Sequence, residues 1–142
     1  MRILDLFCGV GGFSQGFEDV GEVVFANDFN KYCKTTYDLN HSTPLTLSRL
    51  EDVDINSLPD FDILLGGFPC QPFSISGKKL GFEDTRGTLF FDVCRIIEER
   101  NPKVIVLENV QHLIYHDKKR TFSTILRSIR SLGYNVTFKI LN

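Results

Sequence analysis

Paired cysteines, an excess of positive charge and a long apolar run are all missing from this chain, and each absence removes a class of protein. The four cysteines, Cys8, Cys33, Cys70 and Cys94, show no C-x-x-C spacing. With no signal peptide ahead of the first apolar run, they read as thiols of a reducing compartment and not as a disulfide frame, and no metal site is expected. The expected location is cytoplasmic. Sixteen Lys and Arg against 18 Asp and Glu, a formal charge of −2, remove the footprint of a protein that grips nucleic acid through its whole surface, so any such contact is local. No run approaches the roughly 20 apolar residues that a bilayer span needs, so no membrane is expected. Internal repeats, low-complexity tracts and linkers are also absent. What remains is 142 residues with 42% hydrophobic content, enough for one core and too few for two ordinary domains.

Apolar runs alternate with segments of helical spacing. Arg2 to Phe7 reads as a strand ended by the glycines of CGVGG, and helical spacing resumes from Phe13. Glu22 to Ala26 is a strand, Lys31 to Leu39 a helix, Asp62 to Leu65 a strand, Thr88 to Arg100 a helix and Lys103 to Leu107 a strand. Lys118 to Leu132 is a basic amphipathic helix ended by Gly133, before a last strand-like run from Tyr134 to Leu141. Strands alternating with helices imply βαβ units: an α/β fold with a mostly parallel sheet. Phe68 to Arg86, with two prolines, two glycines and mixed charge, forbids a long element, and a loop of that length is commonly functional or mobile.

Phe7-Cys8-Gly9-Val10-Gly11-Gly12 stands where the first strand of such a sheet turns into its helix, at the carboxyl ends where these folds bind ligands. The G-x-G-G spacing lacks the third glycine of a dinucleotide fingerprint and argues against NAD or flavin. A purely structural turn is the competing reading. The second strand ends at Asn27-Asp28, where an acid can accept hydrogen bonds from the hydroxyls of an adenosine ribose. The alternative for Asp28 is a helix N-cap ahead of Lys31. Phe68-Pro69-Cys70-Gln71 follows an apolar strand and puts a cysteine at the mouth of the sheet, the address of a nucleophile, against the plainer reading of a structural cysteine. Cys8, Cys33 and Cys94 lie in segments more easily read as packed. Glu108-Asn109-Val110 ends the apolar strand after that, so Glu108 should sit beside Cys70, because consecutive parallel strands usually lie adjacent. Burial there would favour a protonated acid able to donate.

DLFCGVGG, GGFPCQPFS, GFEDTRGTLFFDV and ENV, in this order and spacing, resemble the successive motifs of the cytosine-C5 DNA methyltransferases, most closely the bacterial modification methylases of the HhaI type. The resemblance spans residues 1–142 and implies a Rossmann-like, S-adenosylmethionine-dependent methyltransferase fold. It implies transfer of a methyl group to C5 of cytosine in duplex DNA within a restriction-modification system, leaving S-adenosylhomocysteine. Through it, Phe7, Gly9, Gly11, Gly12, Asp28 and Phe29 form the cofactor site, with Pro69 and Leu89 closing over it. Cys70 is the nucleophile that adds to C6 of a base rotated out of the helix, and Glu108 holds N3 and the exocyclic amine. Gln71, Ser74, Ser76, Lys78, Lys79 and Arg86 become nucleic-acid contacts, the three cations being otherwise a solvated basic loop.

The chain departs from the family pattern in two places. Where the family has an acid contacting adenine after the third strand, this chain has Arg49 or Leu50, with Glu51 and Asp52 slightly later. It also stops before the family's arginine-bearing motif, target-recognition domain and returning C-terminal strand. A partial catalytic domain is therefore expected, truncated before its last strand and needing a second polypeptide or a C-terminal half. The competing readings are a fragment that binds cofactor without turnover and a tRNA cytosine-C5 methyltransferase.

Overall fold

The computed structural model describes residues 1–70 and 89–141. Five strands form one sheet: β1 (Arg2–Leu6), β2 (Glu22–Asp28), β3 (Leu45–Leu47), β4 (Ile63–Gly67) and β5 (Val104–Glu108). Their order is β3-β2-β1-β4-β5, and every pair is parallel. The helices are α1 (Gly12–Gly16), α2 (Lys31–Asn40), α3 (Leu89–Arg100) and α4 (Arg120–Ser131).

The central strands are covered on both faces, which is why they read as nearly continuous apolar runs. Leu4, Leu6 and Leu64 point to one face and meet Phe90, Val93, Cys94, Ile96 and Ile97 of α3 and Ile125 and Ile129 of α4. Ile3, Ile63 and Leu65 point to the other, where Phe13 and Phe17 pack. Ile3 pairs with Ile63 and Leu4 with Leu64, so the two-residue period sends matching side chains to the same layer. A third cluster joins Cys8, Ala26, Tyr37 and Leu45 under α2. Parallel strands bring all five carboxyl ends to one rim, and that rim carries every motif singled out above that lies in the described residues.

Helix α4 begins at Arg120 and not at Lys118. Asp117, Lys118 and Lys119 all have positive φ, 47°, 54° and 69°, so they form an irregular turn. His116 Nδ1 and Thr121 Oγ1, 2.7 Å apart, and the pair Arg120–Asp117 hold that turn. The helix ends as expected at Gly133, φ 92°. There the Gly133 N–H donates to Arg130 O at 3.0 Å and the Tyr134 N–H to Ile129 O at 3.4 Å, the paired bonds of a left-handed helix stop.

Tyr134 to Leu141 belongs to no strand. A strand needs a neighbour to take its backbone groups, and β5 pairs with β4 alone among the described residues. The segment is held instead by its side chains, with the Tyr134 hydroxyl donating to Pro102 O at 2.6 Å and Phe138 edge-on to Phe122 at 4.9 Å. Strand β3, three residues long, was not among the strands read from the apolar runs.

Candidate functional site

At the end of β1 the chain turns sharply. Phe7 has φ 55°, Gly9 55° and Gly11 98°, so three of five residues are left-handed, a conformation costly for the aromatic residue and free for the glycines. The Cys8 N–H donates to Asn27 O at 3.1 Å and the Gly11 N–H to Cys8 O at 2.8 Å, which fastens the turn to the end of β2. Among the described residues, a Cβ on Gly9 or Gly12 would meet nothing within 4 Å, whereas one on Gly11 would collide with the His41 ring. Open space therefore stands beside the Gly9 and Gly12 backbone, and packed protein behind Gly11.

Asp28 is buried and receives two backbone bonds. The Gly9 N–H donates to its Oδ2 at 2.9 Å and the Asn30 N–H to its Oδ1 at 2.7 Å. The N-cap of α2 is Asn30, whose side chain accepts from the Tyr32 N–H at 3.1 Å. The helix-cap reading of Asp28 thus gives way to a carboxylate that joins the glycine turn to the end of β2 and keeps lone pairs on both oxygens. Phe29, next to it, is 64% exposed. After β3, Leu50 is buried and Arg49 is exposed and paired with Glu51 at 3.2 Å.

The third part of the rim joins β4 to β5. Gly67 pairs with Glu108, and a Cβ on Gly67 would lie 3.5 Å from Glu108 Oε2. Asn109 Nδ2 donates to Phe68 O at 2.6 Å, bracing the start of Phe68-Pro69-Cys70 against the end of β5. Phe68 is buried with its ring 5.5 Å from that of Phe90, Pro69 is exposed, and Leu89 at the start of α3 is half-buried. Cys70 is half-buried and packs on the main core. Glu108 is exposed, contrary to the expectation of burial, because the outer side of β5 has no neighbour among the described residues. Gln71, Ser74, Ser76, Lys78, Lys79 and Arg86 lie outside the described residues.

Burial raises the thiols of Cys8, Cys33 and Cys94. It pushes the Cys94 thiol up to about 12, and it raises Cys8 strongly, with Asp5 and Asp28 adding to the effect. Cys33, half-buried on α2, is also raised by desolvation and then by Asp28.

One arrangement was missed in the sequence. Asp5, inside the apolar run of β1, is fully buried. Ser14 donates its hydroxyl to Asp5 Oδ2 at 2.6 Å, and Tyr37 lies 2.8 Å from the same hydroxyl, while Asp5 Oδ1 has no hydrogen-bond partner among the described residues. Desolvation lifts the Asp5 carboxyl to about 6 against the lowering effect of the Ser14 bond. An acid in the middle of a central strand was the available signal.

Among the described residues, no group of three or more His, Cys, Asp or Glu could hold a metal ion, and no helix is long and apolar enough to cross a membrane.

The chain is 48% identical over 142 residues to the type II methyltransferase M.NgoBI of Neisseria gonorrhoeae, covering 99% of this chain and 44% of that protein. It is 43% identical over 143 residues to M.HhaI of Haemophilus parahaemolyticus, covering 100% and 43%. It therefore spans less than half the length of these relatives. Among solved structures, a DNMT2 mutant of Spodoptera frugiperda superposes with TM-score 0.66 at 27% identity, over 89% of this chain and 40% of that one. A putative DNA modification methyltransferase from an Escherichia coli prophage shares the fold, with TM-score 0.70 at 20% identity, over 92% and 38%. The family model for C-5 cytosine-specific DNA methylases matches residues 1–142. With the glycine turn, the acid that ends β2, the cysteine after β4 and the Glu-Asn pair at the end of β5 all on one rim, the chain belongs to the C-5 cytosine-specific DNA methylase family.

Proposed function

We propose that residues 1–142 are the cofactor-binding and nucleophile-bearing part of a methyltransferase that modifies C5 of cytosine in duplex DNA, as part of a restriction-modification system. The observation that carries this is the convergence of Cys70 and Glu108 on the rim where Asp28 and the open glycine turn lie, since a thiol, a carboxyl and an adenosine-sized site must adjoin for this chemistry. The fit to S-adenosylmethionine rests on Gly9 and Gly12, where an added Cβ would meet none of the described residues within 4 Å, and on Asp28, whose remaining lone pairs can accept from ribose hydroxyls. When bound, the cofactor supplies an electrophilic methyl group.

Cys70, as a thiolate, adds to C6 of the cytosine and forms a carbon–sulfur bond, which makes C5 electron-rich. Glu108 holds N3 and supplies the proton that neutralises the ring as the thiolate adds. Once C5 carries the methyl, its proton passes to water, the carbon–sulfur bond breaks with Cys70 leaving as thiolate, and N3 returns its proton to Glu108. Phe7, Gly11, Phe29, Pro69 and Leu89 frame the cofactor. Gln71, Ser74, Ser76, Lys78, Lys79 and Arg86 contact the DNA around a base rotated from the stack, which a protein thiol cannot otherwise reach. The recognition of a DNA sequence belongs to further polypeptide, in keeping with relatives more than twice as long as the stretch matched.

The test is trapping on duplex DNA containing 5-fluorocytosine, with the cofactor and any polypeptide that the enzyme requires. A covalent adduct that peptide mapping assigns to Cys70 is expected. An adduct on Cys8, Cys33 or Cys94, or none, overturns the assignment.

A further inference from the structure

Charge is divided very unevenly along this chain. Residues 118–142 hold six Lys and Arg and no Asp or Glu, whereas all 18 acids and only ten cations fall in residues 1–117. A net charge of −2 therefore conceals +6 in the last 25 residues against −8 before them.

Much of that positive charge is aimed outward from one helix. α4 buries Thr121, Ile125 and Ile129, one stripe at four-residue spacing. Ser123, Arg127 and Arg130 fall on the opposite side, and all three are exposed. Together with Leu126 they line an open-sided pocket of about 300 Å³. The ion pairs among the described residues engage Arg49, Arg95, Arg100, Arg120, Lys34 and Lys103, and none takes Arg127 or Arg130. Lys118 and Lys119, exposed in the turn before the helix, likewise take part in none of these ion pairs.

Two guanidinium groups one helical turn apart, with a serine hydroxyl between them and the turn lysines, suit a row of phosphates. Arg, Lys and Ser are the side chains that make backbone contacts to nucleic acid, and a polyanion gains by releasing counterions to each cation. A lipid surface is a poorer match, because the apolar face of α4 is packed against the core and the only large apolar side chain lining the pocket, Leu126, is half-buried.

We propose that the outward face of α4, carried by Arg127, Arg130, Ser123 and the neighbouring Lys118 and Lys119, binds the phosphodiester backbone of DNA outside the target base. This rests on the reading of the chain as part of a DNA-modifying enzyme. The face contributes affinity without sequence preference and is separate from the Gln71–Arg86 contacts proposed above.

The experiment measures binding of a fluorescent duplex without a target site, over a range of salt concentrations, by the full enzyme with any required polypeptide. Arg127→Gln/Arg130→Gln should weaken binding roughly tenfold near 0.1 M salt and lower the slope of log affinity on log salt by about two. Arg127→Lys/Arg130→Lys should keep most of the slope, and Lys34→Gln, which removes a cation on α2 already paired with Asp38, should change neither. Circular dichroism excludes misfolding, to which a solvent-facing stripe is little prone. An unchanged affinity and slope in the glutamine variant overturns the proposal. So does displacement of the DNA from wild type alone by polyglutamate at equal charge concentration, since that marks the face as a site for an acidic polypeptide. Fluorocytosine trapping in the same preparations separates the two claims. Adducts at Cys70 with no α4 effect leave the activity standing and remove this surface, and an α4 effect without adducts does the reverse.

Discussion

Ser14, from the first turn of α1, donates its hydroxyl to the carboxylate of Asp5 in the middle of β1 at 2.6 Å, entirely out of contact with solvent. The bond spans the glycine turn and ties its two ends together. It satisfies only one oxygen of the acid, and Oδ1 has no partner among the described residues.

This arrangement predicts a pH effect on stability. The folded carboxyl sits at about 6 and the ordinary value is 3.8, so the folded protein retains a proton that the unfolded chain has already lost between those values. The contribution of Asp5 is therefore most favourable below about pH 4, declines as pH rises to about 6, and stays unfavourable above that, by up to about 3 kcal/mol at 1.36 kcal/mol per unit. Asp5→Asn, which cannot ionise, should show a stability difference from wild type that shifts in favour of the variant between pH 4 and 7. Urea unfolding at several pH values measures it, and a difference independent of pH contradicts the ionised, half-satisfied state.

Gly11 carries two constraints that can be separated. Its φ of 98° costs an L-residue roughly 1–2 kcal/mol, and a Cβ would strike the His41 ring, which lies 4.4 Å from the Tyr37 ring and cannot retreat freely. Gly11→Ala should lose more than the backbone cost alone. Adding His41→Ala should return the collision part only, leaving a coupling of roughly 0.5–3 kcal/mol in a double-mutant cycle by chemical unfolding. Strict additivity would mean that His41 swings clear.

Asp28→Ala removes the acceptor for the Gly9 N–H and for the proposed ribose hydroxyls. Charge-assisted bonds of this kind are worth roughly 1.5–3 kcal/mol each, so S-adenosylmethionine affinity should fall at least tenfold by calorimetry. Unchanged affinity would leave Asp28 with only its structural task of joining the turn to β2.

Cys70→Ser should abolish methyl transfer to duplex DNA while leaving cofactor affinity within about twofold, because the thiol acts on the base and a serine hydroxyl is far less nucleophilic near neutral pH. Substantial residual transfer, assayed with any required polypeptide, would assign the nucleophile elsewhere.

The elements that could be read from sequence were those whose hydrophobic pattern and pairing agree. β1, β4 and β5 are central or lie beside a central strand, so their apolar runs end within a residue or two of the observed bounds. α3 shows Phe90, Val93, Cys94 and Ile97 at helical spacing and was equally plain. β3 carries only Leu45–Leu47, too short for any period to appear. Tyr134 to Leu141 shows the opposite failure, a strand-like pattern for which no neighbour exists, since pairing is a property of two segments and not of one. Of the candidate site, the glycine turn, Asp28, Cys70 and Glu108 were legible because each ends a strand or closely follows one. Asp5 was absorbed into an apolar run, and the brace from Asn109 to Phe68 depends on a register that only the folded sheet reveals.

The two buried thiols belong to different packing clusters, Cys94 under α3 in the main core and Cys8 with Tyr37 under α2. Held protonated and shielded, neither reacts with a disulfide dye until its own surroundings open. Dye uptake at each position then acts as a clock for one region: Cys8 times the separation of α2 and the glycine turn, and Cys94 the lifting of α3 from the sheet. Whether the two clocks keep the same time reports directly whether the molecule comes apart in one step or in two, with no residue introduced for the purpose.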